Sequence, residues 1–242
     1  MSEADENTGN LTVAAGGLPA ANGKLSRGKL IVIEGIDGSG KSTQLRRLTK
    51  RLTKEGFDFQ SVRFPRYSEE HSALVRMYLS GDLGKAPGDV NAYAASSFFA
   101  ADRFASYKKE PWGAYYDGGG TVFADRYTTS NAIHQGVKLP RDARADFFRW
   151  LYDYEFRLLG LPAPSVVFHL ALPVSTALSR IGSRGGEKDI HERDTEYLAA
   201  CAECAAEAAE TLGWINTNAA RSVNEIHTEI YTAAVRILRE VR

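Results

Sequence analysis

The chain has 242 residues, of which 43% are hydrophobic and 25% are charged, and its 30 basic side chains balance its 30 acidic ones. A chain of this length fits one α/β domain around a single large core. The balanced charge argues against a nucleic-acid partner, and the longest apolar run, residues 166–172, is far too short to span a bilayer. We therefore expect neither a nucleic-acid partner nor a membrane partner.

Residues 1–28 differ in composition from the rest of the chain. They begin acidic and continue through Ala, Gly and Asn, without the regions of a secretory signal or the Arg-rich pattern of a transit peptide. We predict that residues 1–28 form a disordered N-terminal extension and that residues 29–242 form one domain. Without a targeting signal, a cytoplasmic location is expected, and a nuclear one stays open.

The two cysteines, Cys201 and Cys204, lie in the Ala- and Glu-rich segment 198–210. Residues three apart occupy adjacent turns of one helix face, and further ligands for a zinc ion are not suitably spaced. We therefore expect two free thiols on one helix, which is typical of a reducing compartment.

A short apolar run at residues 29–34 leads into the pattern G-x-x-x-x-G-K-S/T and then into a helix-compatible segment. This order of strand, glycine-rich loop and helix is typical of a phosphate-binding P-loop, because glycines let backbone N–H groups close around phosphate oxygens. Lys41 is then expected to reach the β- and γ-phosphates, and the Ser42 hydroxyl to hold Mg²⁺. The sequence predicts a nucleoside triphosphate site formed by Gly35, Asp37, Gly38, Ser39, Gly40, Lys41, Ser42 and Thr43.

Strand-like and helix-like segments alternate along the rest of the chain. Strands are expected at residues 29–34, 57–64, 121–125, 166–172 and 213–217. Helices are expected at residues 41–54, 72–80, 91–108, 198–210 and 223–239, and a further helical stretch at the aromatic-rich residues 147–154. This alternation predicts an α/β fold with a doubly wound parallel sheet of about five strands flanked by helices.

Charged residues follow two of the predicted strands. In an open α/β sheet the carboxyl ends of the strands face the ligand crevice. Arg66, after Pro65, is there either an anion ligand or a solvated surface arginine. Asp125 is expected beside the P-loop, where it can reach Mg²⁺, and Arg126 can bridge phosphates.

Two further segments have patterns that fit ligand binding. Phe99 and Arg103 are four residues apart on one predicted helix face, where a ring and a guanidinium could grip a nucleobase. The alternative is an ordinary core and surface pair. The segment 177–192 is basic and rich in glycine, so it is either a lid that closes over phosphates, at about residues 180–192, or a flexible loop with solvated charges.

The order and spacing of these motifs resemble the thymidylate kinase family, the P-loop nucleoside-monophosphate kinases that phosphorylate dTMP. The resemblance extends from about residue 29 to the C-terminus. The motifs that carry it are residues 34–37, Phe64-Pro65-Arg66, Phe99 with Arg103, Asp125-Arg126-Tyr127, Ser130-Asn131, Gln135-Gly136, residues 160–164, the lid segment and residues 215–219.

The resemblance implies ATP- and Mg²⁺-dependent phosphorylation of dTMP to dTDP, on the route to dTTP, by a homodimer with a mobile lid. Asp37 would hold the sugar 3′-hydroxyl, Arg66 and Arg126 would clamp the dTMP phosphate, and Arg180 would lie against adenine. Ser42 and Asp125 would hold Mg²⁺. The dTMP site would consist of Asp37, Phe64, Arg66, Phe99, Arg103, Arg126, Ser130, Asn131 and Gln135, with Phe99 stacked on the base and Arg103 and Asn131 at its edge.

The catalytic set implied by the resemblance is Lys41, Arg126, Asp37 and a cation from the lid. Between Asp37 and Lys41 the P-loop contains Gly38, Ser39 and Gly40 and no basic residue, so the lid must supply this cation. Arg184 is the first choice, with Lys188 or Arg180 next.

The sequence departs from the family pattern at His134, where relatives usually carry an aromatic residue that helps to exclude ribonucleotides. Ser165, His191 and Asn218 are smaller departures. Another pyrimidine nucleotide, deoxynucleotide or deoxynucleoside kinase is therefore the first alternative. A P-loop regulatory NTPase is the second, although the chain has no Asn-Lys-x-Asp motif for guanine, and Arg126 stands where motor ATPases usually have Glu.

Overall fold

In a computed structural model of the protein, residues 28–182 and 195–239 are described. The predicted extension, apart from Gly28, and most of the predicted lid lie outside these ranges. Between them, the described ranges contain every predicted strand and the P-loop.

The core of the fold is a five-stranded sheet in which every pairing is parallel, with the strand order β2-β3-β1-β4-β5. The strands are Lys29–Glu34 (β1), Gln60–Arg63 (β2), Thr121–Asp125 (β3), Val166–Ala171 (β4) and Ile215–Asn218 (β5). β1 and β3 are buried almost without interruption, as expected for central strands that are covered by helices on both faces. The predicted doubly wound parallel sheet is confirmed.

Nine α-helices connect and flank the strands in the described part of the chain. They are Lys41–Lys54 (α1), Ala73–Ser80 (α2), Ala92–Lys109 (α3), Pro111–Asp117 (α4), Thr128–His134 (α5), Arg144–Tyr152 (α6), Val174–Gly182 (α7), Thr195–Thr211 (α8) and Val223–Arg239 (α9). A π-helical segment, Asp153–Leu158, continues α6. None of the helices in residues 28–182 and 195–239 is both long and apolar enough to cross a membrane.

The second strand was predicted at residues 57–64 but pairs only over Gln60–Arg63. The backbone N–H of Phe57 donates to the carbonyl of Leu52 at 3.1 Å and so belongs to the end of α1. The start of the prediction was therefore wrong by three residues, because the C-terminal closure of a helix uses residues beyond its last turn.

Helices α4, α5 and α7 were not predicted. Helices α4 and α5 have only seven residues each, and five of the seven residues of α5 are buried, so its sequence shows little of the 3.6-residue alternation of an amphipathic surface helix. Helix α7 includes residues 177–182, which were predicted as part of a lid or a flexible loop.

Cys201 and Cys204 lie on α8 as free, buried thiols, which confirms the predicted helix. Burial raises the pKa of each thiol to about 12, so both stay protonated. The Sγ atom of Cys204 lies 3.5 Å from the carbonyl of Ala132 on α5. The cysteines therefore pack α8 against α5, the helix that follows the third strand.

Candidate active site

The P-loop is the turn between β1 and α1, and its glycines have conformations that other residues adopt with strain. Gly38 has φ +79°, and a Cβ there would lie 2.7 Å from the carbonyl of Ala177 on α7. Gly40, at the N-cap of α1, has φ +100°, and a Cβ there would meet no atom within 4 Å. The loop thus packs on α7 at one side and is open at the other, where the N-terminus of α1 offers backbone donors to an anion.

Lys41 lies inside this loop. Its Nζ atom donates to the carbonyls of Gly35 at 2.7 Å and Ile36 at 2.9 Å, and lies 3.9 Å from Oδ1 of Asp37. Burial, followed by the positive charge of Arg126, lowers the pKa of Lys41 to about 8. Its ammonium group is therefore held where a triphosphate would enter the loop, and it loses its proton more readily than an exposed lysine.

Ser42 and Asp125 meet beside the P-loop. The Ser42 hydroxyl donates to Oδ2 of Asp125 at 2.7 Å, which confirms the predicted position of Asp125. Arg63, at the end of β2, approaches the same pair, with Nε 3.4 Å from Oδ2 of Asp125 and Nη2 donating to Oγ of Ser42 at 3.2 Å.

The surroundings of Ser42 and Asp125 show whether these two side chains fit a magnesium ion. Oδ1 of Asp125 is buried and accepts no hydrogen bond from any described residue. In the described ranges no three His, Cys, Asp or Glu side chains gather into a metal site. Mg²⁺ commonly takes one or two protein oxygens, with substrate phosphates and water as its other ligands. Ser42 and Asp125 therefore fit Mg²⁺ bound together with a nucleotide.

Arg126 connects the P-loop to the neighbouring cavity. Its guanidinium forms an ion pair with Asp37, lies 3.8 Å from Glu34 and donates to Oγ of Ser130 at 3.4 Å. Burial opposes its positive charge, but the carboxylates of Asp37, Glu34 and Asp125 outweigh burial and raise the pKa of Arg126. Arg126 itself has φ +68°, a conformation that non-glycine residues rarely adopt and that often occurs at functional sites.

Glu34 also belongs to this site, although it was not among the site residues predicted from the sequence. It is fully buried, accepts from the backbone N–H of Gly35 at 2.9 Å, and accepts from the hydroxyls of Thr129 and Ser130 at 2.7 Å each. It therefore ties the start of the P-loop to α5. An acidic residue at the end of a buried strand was the available signal.

A cavity of about 210 Å³ opens beside Arg126. It brings together most of the residues predicted for a nucleotide acceptor: Asp37, Phe64, Phe99, Arg103, Arg126, Ser130, Asn131 and Gln135. His134 also lines it, with Nε2 3.2 Å from Nη1 of Arg126. The hydroxyl of Tyr127 and Oε1 of Gln135 are buried there without a hydrogen-bond partner among the described residues. Aromatic rings and unsatisfied polar atoms together suit a flat polar ligand.

At the inner end of the cavity, Arg103 forms a buried ion pair with Glu155 of the π-helical segment, with Nε 2.7 Å from Oε2 and Nη2 2.5 Å from Oε1. Glu155 was not among the residues predicted from the sequence. The available signal was an acidic residue on an apolar helix face, four residues after the buried Leu151 and seven after the buried Phe148.

Arg66, which was predicted to bind the acceptor phosphate, does not line the cavity, although its neighbours Pro65 and Tyr67 do. Its guanidinium pairs with Glu110, and its backbone N–H donates to Oδ2 of Asp102 at 3.0 Å. Arg66 is therefore held by Glu110 and Asp102 next to the cavity, and its role as a phosphate ligand stays a prediction.

Arg180, at the end of α7, lies beside the P-loop. Its guanidinium donates to the carbonyl of Gly38 at 3.4 Å and to the carbonyl of Ala219 at 3.3 Å. Arg184 and Lys188, the other candidate lid cations, lie outside the described residues. The choice of Arg184 as the lid cation stays a prediction.

A sequence model of the family described as thymidylate kinase matches residues 33–230. Among curated proteins, the thymidylate kinase of Mycobacterium tuberculosis strain H37Rv is 33% identical over 174 residues, which cover 69% of this chain and 79% of that protein. The human thymidylate kinase is 31% identical, over 84% of this chain and 88% of its own. The thymidylate kinase of Halothermothrix orenii is 32% identical, over 85% of this chain and 95% of its own. The chain belongs to the thymidylate kinase family.

Proposed function

We propose that this protein phosphorylates dTMP to dTDP, with ATP as phosphoryl donor and Mg²⁺ as metal cofactor. The observation that carries the proposal most directly is the place of Arg126. Its partly buried, charged guanidinium lies between the P-loop, where it meets Asp37 and Glu34, and the cavity that it lines. A cation in that position contacts both phosphates of a phosphoryl transfer.

On the donor side, the P-loop amides and Lys41 bind the β- and γ-phosphates of ATP, and Arg180 lies beside the adenine ring. Ser42 and Asp125 would hold Mg²⁺, which would supply positive charge to the triphosphate. Lys41 is already buried within the loop, so it loses little side-chain entropy when the nucleotide binds.

On the acceptor side, Phe99 stacks on the thymine ring, and Arg103 and Asn131 bind its edge. Phe64, Ser130 and Gln135 line the rest of this pocket, and Asp37 binds the sugar 3′-hydroxyl. All of these side chains line one cavity, and Arg126 lines the same cavity.

In the reaction, an oxygen of the dTMP phosphate attacks the γ-phosphorus of ATP as the bond to the β–γ bridging oxygen breaks, and ADP leaves. Arg126 and Lys41 stabilise the negative charge that spreads over the transferred group, together with a lid cation, for which Arg184 is our first candidate. The acceptor is already a phosphate oxygen, so no general base is needed. Closure of the lid would exclude water and so suppress hydrolysis of ATP.

A second candidate, kinase activity on other pyrimidine monophosphates, is favoured by His134. Its Nε2 atom lies 3.2 Å from Arg126, so the imidazole is next to the proposed phosphate and sugar region. A histidine can hydrogen-bond a 2′-hydroxyl that an apolar ring would exclude. UMP is therefore the informative comparison with dTMP and dUMP.

We further propose that the protein works as a homodimer in the cytoplasm. Support for a dimer comes from Leu74 and Met77, apolar side chains that are 45% and 41% exposed on one face of α2. Support for a reducing compartment comes from the free thiols of Cys201 and Cys204. Sedimentation of the full chain tests the dimer directly.

The proposed function is tested by incubating the full chain with ATP, Mg²⁺ and dTMP and identifying the products by mass. Stoichiometric dTDP and ADP are expected, and Arg126→Ala should lower kcat/KM by at least about 100-fold because a transition-state cation is lost. Arg149→Ala, which removes an exposed arginine on α6, is the matched control and should leave the rate unchanged. ADP without dTDP would contradict the proposal.

A further inference from the structure

Glu155 is a buried carboxylate whose two oxygens accept hydrogen bonds from three side chains, two of which, Arg103 and Asn131, line the cavity. Oε2 accepts from Nε of Arg103 at 2.7 Å and from Oγ1 of Thr128 at 2.6 Å. Oε1 accepts from Nη2 of Arg103 at 2.5 Å and from Nδ2 of Asn131 at 3.3 Å. Glu155 has no exposed surface and does not line the cavity itself. Any effect of Glu155 on a ligand must therefore pass through its partners.

The local backbone conformation directs the side chain of Glu155 toward its three hydrogen-bond partners. Glu155 belongs to the π-helical segment Asp153–Leu158, and its carbonyl accepts from the N–H of Leu161 at 3.0 Å. Asp153 and Arg157, two residues to either side, form an exposed ion pair with each other. The segment thus turns Glu155 inward between α3, which carries Arg103, and α5, which carries Thr128 and Asn131. Single π-helical turns of this kind are frequent at functional sites.

These contacts decide which groups Arg103 and Asn131 offer to a ligand. A guanidinium has five N–H donors and no acceptor. Glu155 takes two of the Arg103 donors and the carbonyl of Tyr127 takes another at 3.4 Å, so the donors that remain are one on Nη1 and one on Nη2. Arg103 therefore presents donors alone to the cavity that it lines.

Asn131, in contrast to Arg103, is oriented so that it offers an acceptor to the cavity. Its Nδ2 atom donates to the carbonyl of Ser96 at 3.1 Å and to Oε1 of Glu155, and this hydrogen-bond network fixes the orientation of the amide. Since both N–H groups of the amide are used within the protein, the group that Asn131 offers to a ligand is its acceptor, Oδ1. Glu155 thus leaves one donor residue and one acceptor residue at the cavity wall.

This pattern matches one class of pyrimidine. A 4-oxo pyrimidine such as thymine or uracil presents an acceptor at O4 next to a donor at N3–H. A 4-amino pyrimidine such as cytosine presents a donor at N4 next to an acceptor at N3. The donors of Arg103 and the acceptor of Asn131 complement O4 and N3–H of a 4-oxo pyrimidine. Against a 4-amino pyrimidine, donors would face a donor and an acceptor would face an acceptor, which leaves buried polar groups unpaired.

We propose that Glu155 is a positioning residue that fixes this donor–acceptor pattern and thereby selects 4-oxo over 4-amino pyrimidine nucleotides. The proposal rests on the proposed function, because it takes the cavity as the site that binds the acceptor nucleotide. It does not require that the bound nucleotide be phosphorylated. A buried ion pair could serve stability alone, so the test needs a measurement that a structural role would leave unchanged.

The test is Glu155→Gln, compared with the wild type for dTMP and dCMP by calorimetric binding and by steady-state kinetics. A glutamine amide places an N–H group against donors of Arg103, Thr128 or Asn131, so the pattern is lost. The KM for dTMP should rise at least tenfold with kcat and the KM for ATP within about threefold of wild type. The ratio of dTMP to dCMP affinity should fall at least tenfold.

Two controls complete the experiment. Glu203→Gln removes an exposed carboxylate on α8 and should change nothing. Thr128→Val removes one donor to Glu155, and Thr128→Ser restores it, so the first should raise the KM for dTMP about threefold and the second should return it toward wild type. These two Thr128 variants test the positioning role of Glu155 even if the Glu155→Gln protein does not fold.

An unchanged dTMP to dCMP ratio in a folded Glu155→Gln protein would overturn the proposal and leave Glu155 a purely structural residue. Equal loss of kcat for both acceptors, with unchanged affinities, would also overturn it. Failure of the proposed function would look different, because the wild-type protein itself would then bind neither nucleotide, or bind dTMP without forming dTDP.

Discussion

Arg66 and Glu110 form a two-point ion pair, with Nε of Arg66 2.9 Å from Oε1 of Glu110 and Nη2 2.7 Å from Oε2. Both side chains are partly buried, and the pair lies outside the cavity that Pro65 and Tyr67 line. If Arg66 binds the acceptor phosphate, as its sequence motif implies, Glu110 competes with the substrate for it.

Glu110→Gln should therefore lower the KM for dTMP about two- to fivefold, because a partly exposed ion pair is worth roughly 0.5–1 kcal/mol. Steady-state kinetics with varied dTMP measure the change. Glu70→Gln removes an exposed carboxylate of the neighbouring 3₁₀ turn and controls for net charge. A higher KM in Glu110→Gln would show instead that Glu110 orients Arg66 toward the substrate.

The lowered pKa of Lys41 predicts how ATP binding changes with pH. Below about pH 8 the ammonium group is protonated and binds the phosphates, and above pH 8 the nucleotide-free protein loses this charge. The Kd for ATP should therefore be flat at lower pH and rise toward tenfold per pH unit above it, since binding requires the proton.

Calorimetry between pH 6.5 and 9.5 measures this dependence. Lys41→Arg stays charged throughout this range, so the alkaline rise in Kd should disappear in that variant. A wild-type Kd that remains constant to pH 9.5 would contradict the assignment of the low pKa to Lys41.

The pair of Ser42 and Asp125 predicts a specific metal defect. Asp125→Asn should raise the half-saturating Mg²⁺ concentration at least tenfold, because a carboxylate ligand is replaced by a neutral amide. Binding of Mn²⁺ in the presence of ATP, followed by electron paramagnetic resonance, measures this without turnover. Asp142→Asn, at an exposed position, is the control. Unchanged Mn²⁺ affinity would exclude Asp125 as a ligand.

Gly113 predicts a defect of stability rather than of activity. A Cβ at this position in α4 would lie 1.9 Å from the carbonyl of Tyr107 at the end of α3. Gly113→Ala should therefore cost about 1–3 kcal/mol and lower Tm by roughly 3–10 °C. At Gly118 the nearest atoms would lie at 3.4 Å, so Gly118→Ala should change Tm by less than about 2 °C. Equal Tm values for the two variants would contradict this packing.

The P-loop and its flanking elements were predictable from sequence because their signals are local. β1, α1, β3 and α9 have the predicted bounds, since glycines, β-branched runs and an amphipathic period lie within each segment. The position of Asp125 beside Ser42 was also predictable, because parallel strands end at the same edge of the sheet.

The rest of the site depends on contacts between residues that are far apart in the chain. Arg103 and Glu155 are 52 positions apart, and Arg66 and Glu110 are 44 apart. Residue type and local spacing give no measure of such distances. The motif therefore identified Arg66 as a ligand candidate, while its partner Glu110 emerged only from the folded chain.

The most direct test of the central claim is ATP- and Mg²⁺-dependent ADP release by the full chain, with dTMP, dUMP, UMP, dCMP, AMP and GMP offered separately as acceptors. We predict strong stimulation by dTMP, weaker stimulation by dUMP and near-background release with dCMP, AMP and GMP, because the donors of Arg103 and the acceptor of Asn131 match a 4-oxo pyrimidine. Release with UMP reports how far His134 relaxes sugar selection. ADP release that is the same with and without any acceptor would contradict the account and identify the P-loop as the site of a regulatory NTPase.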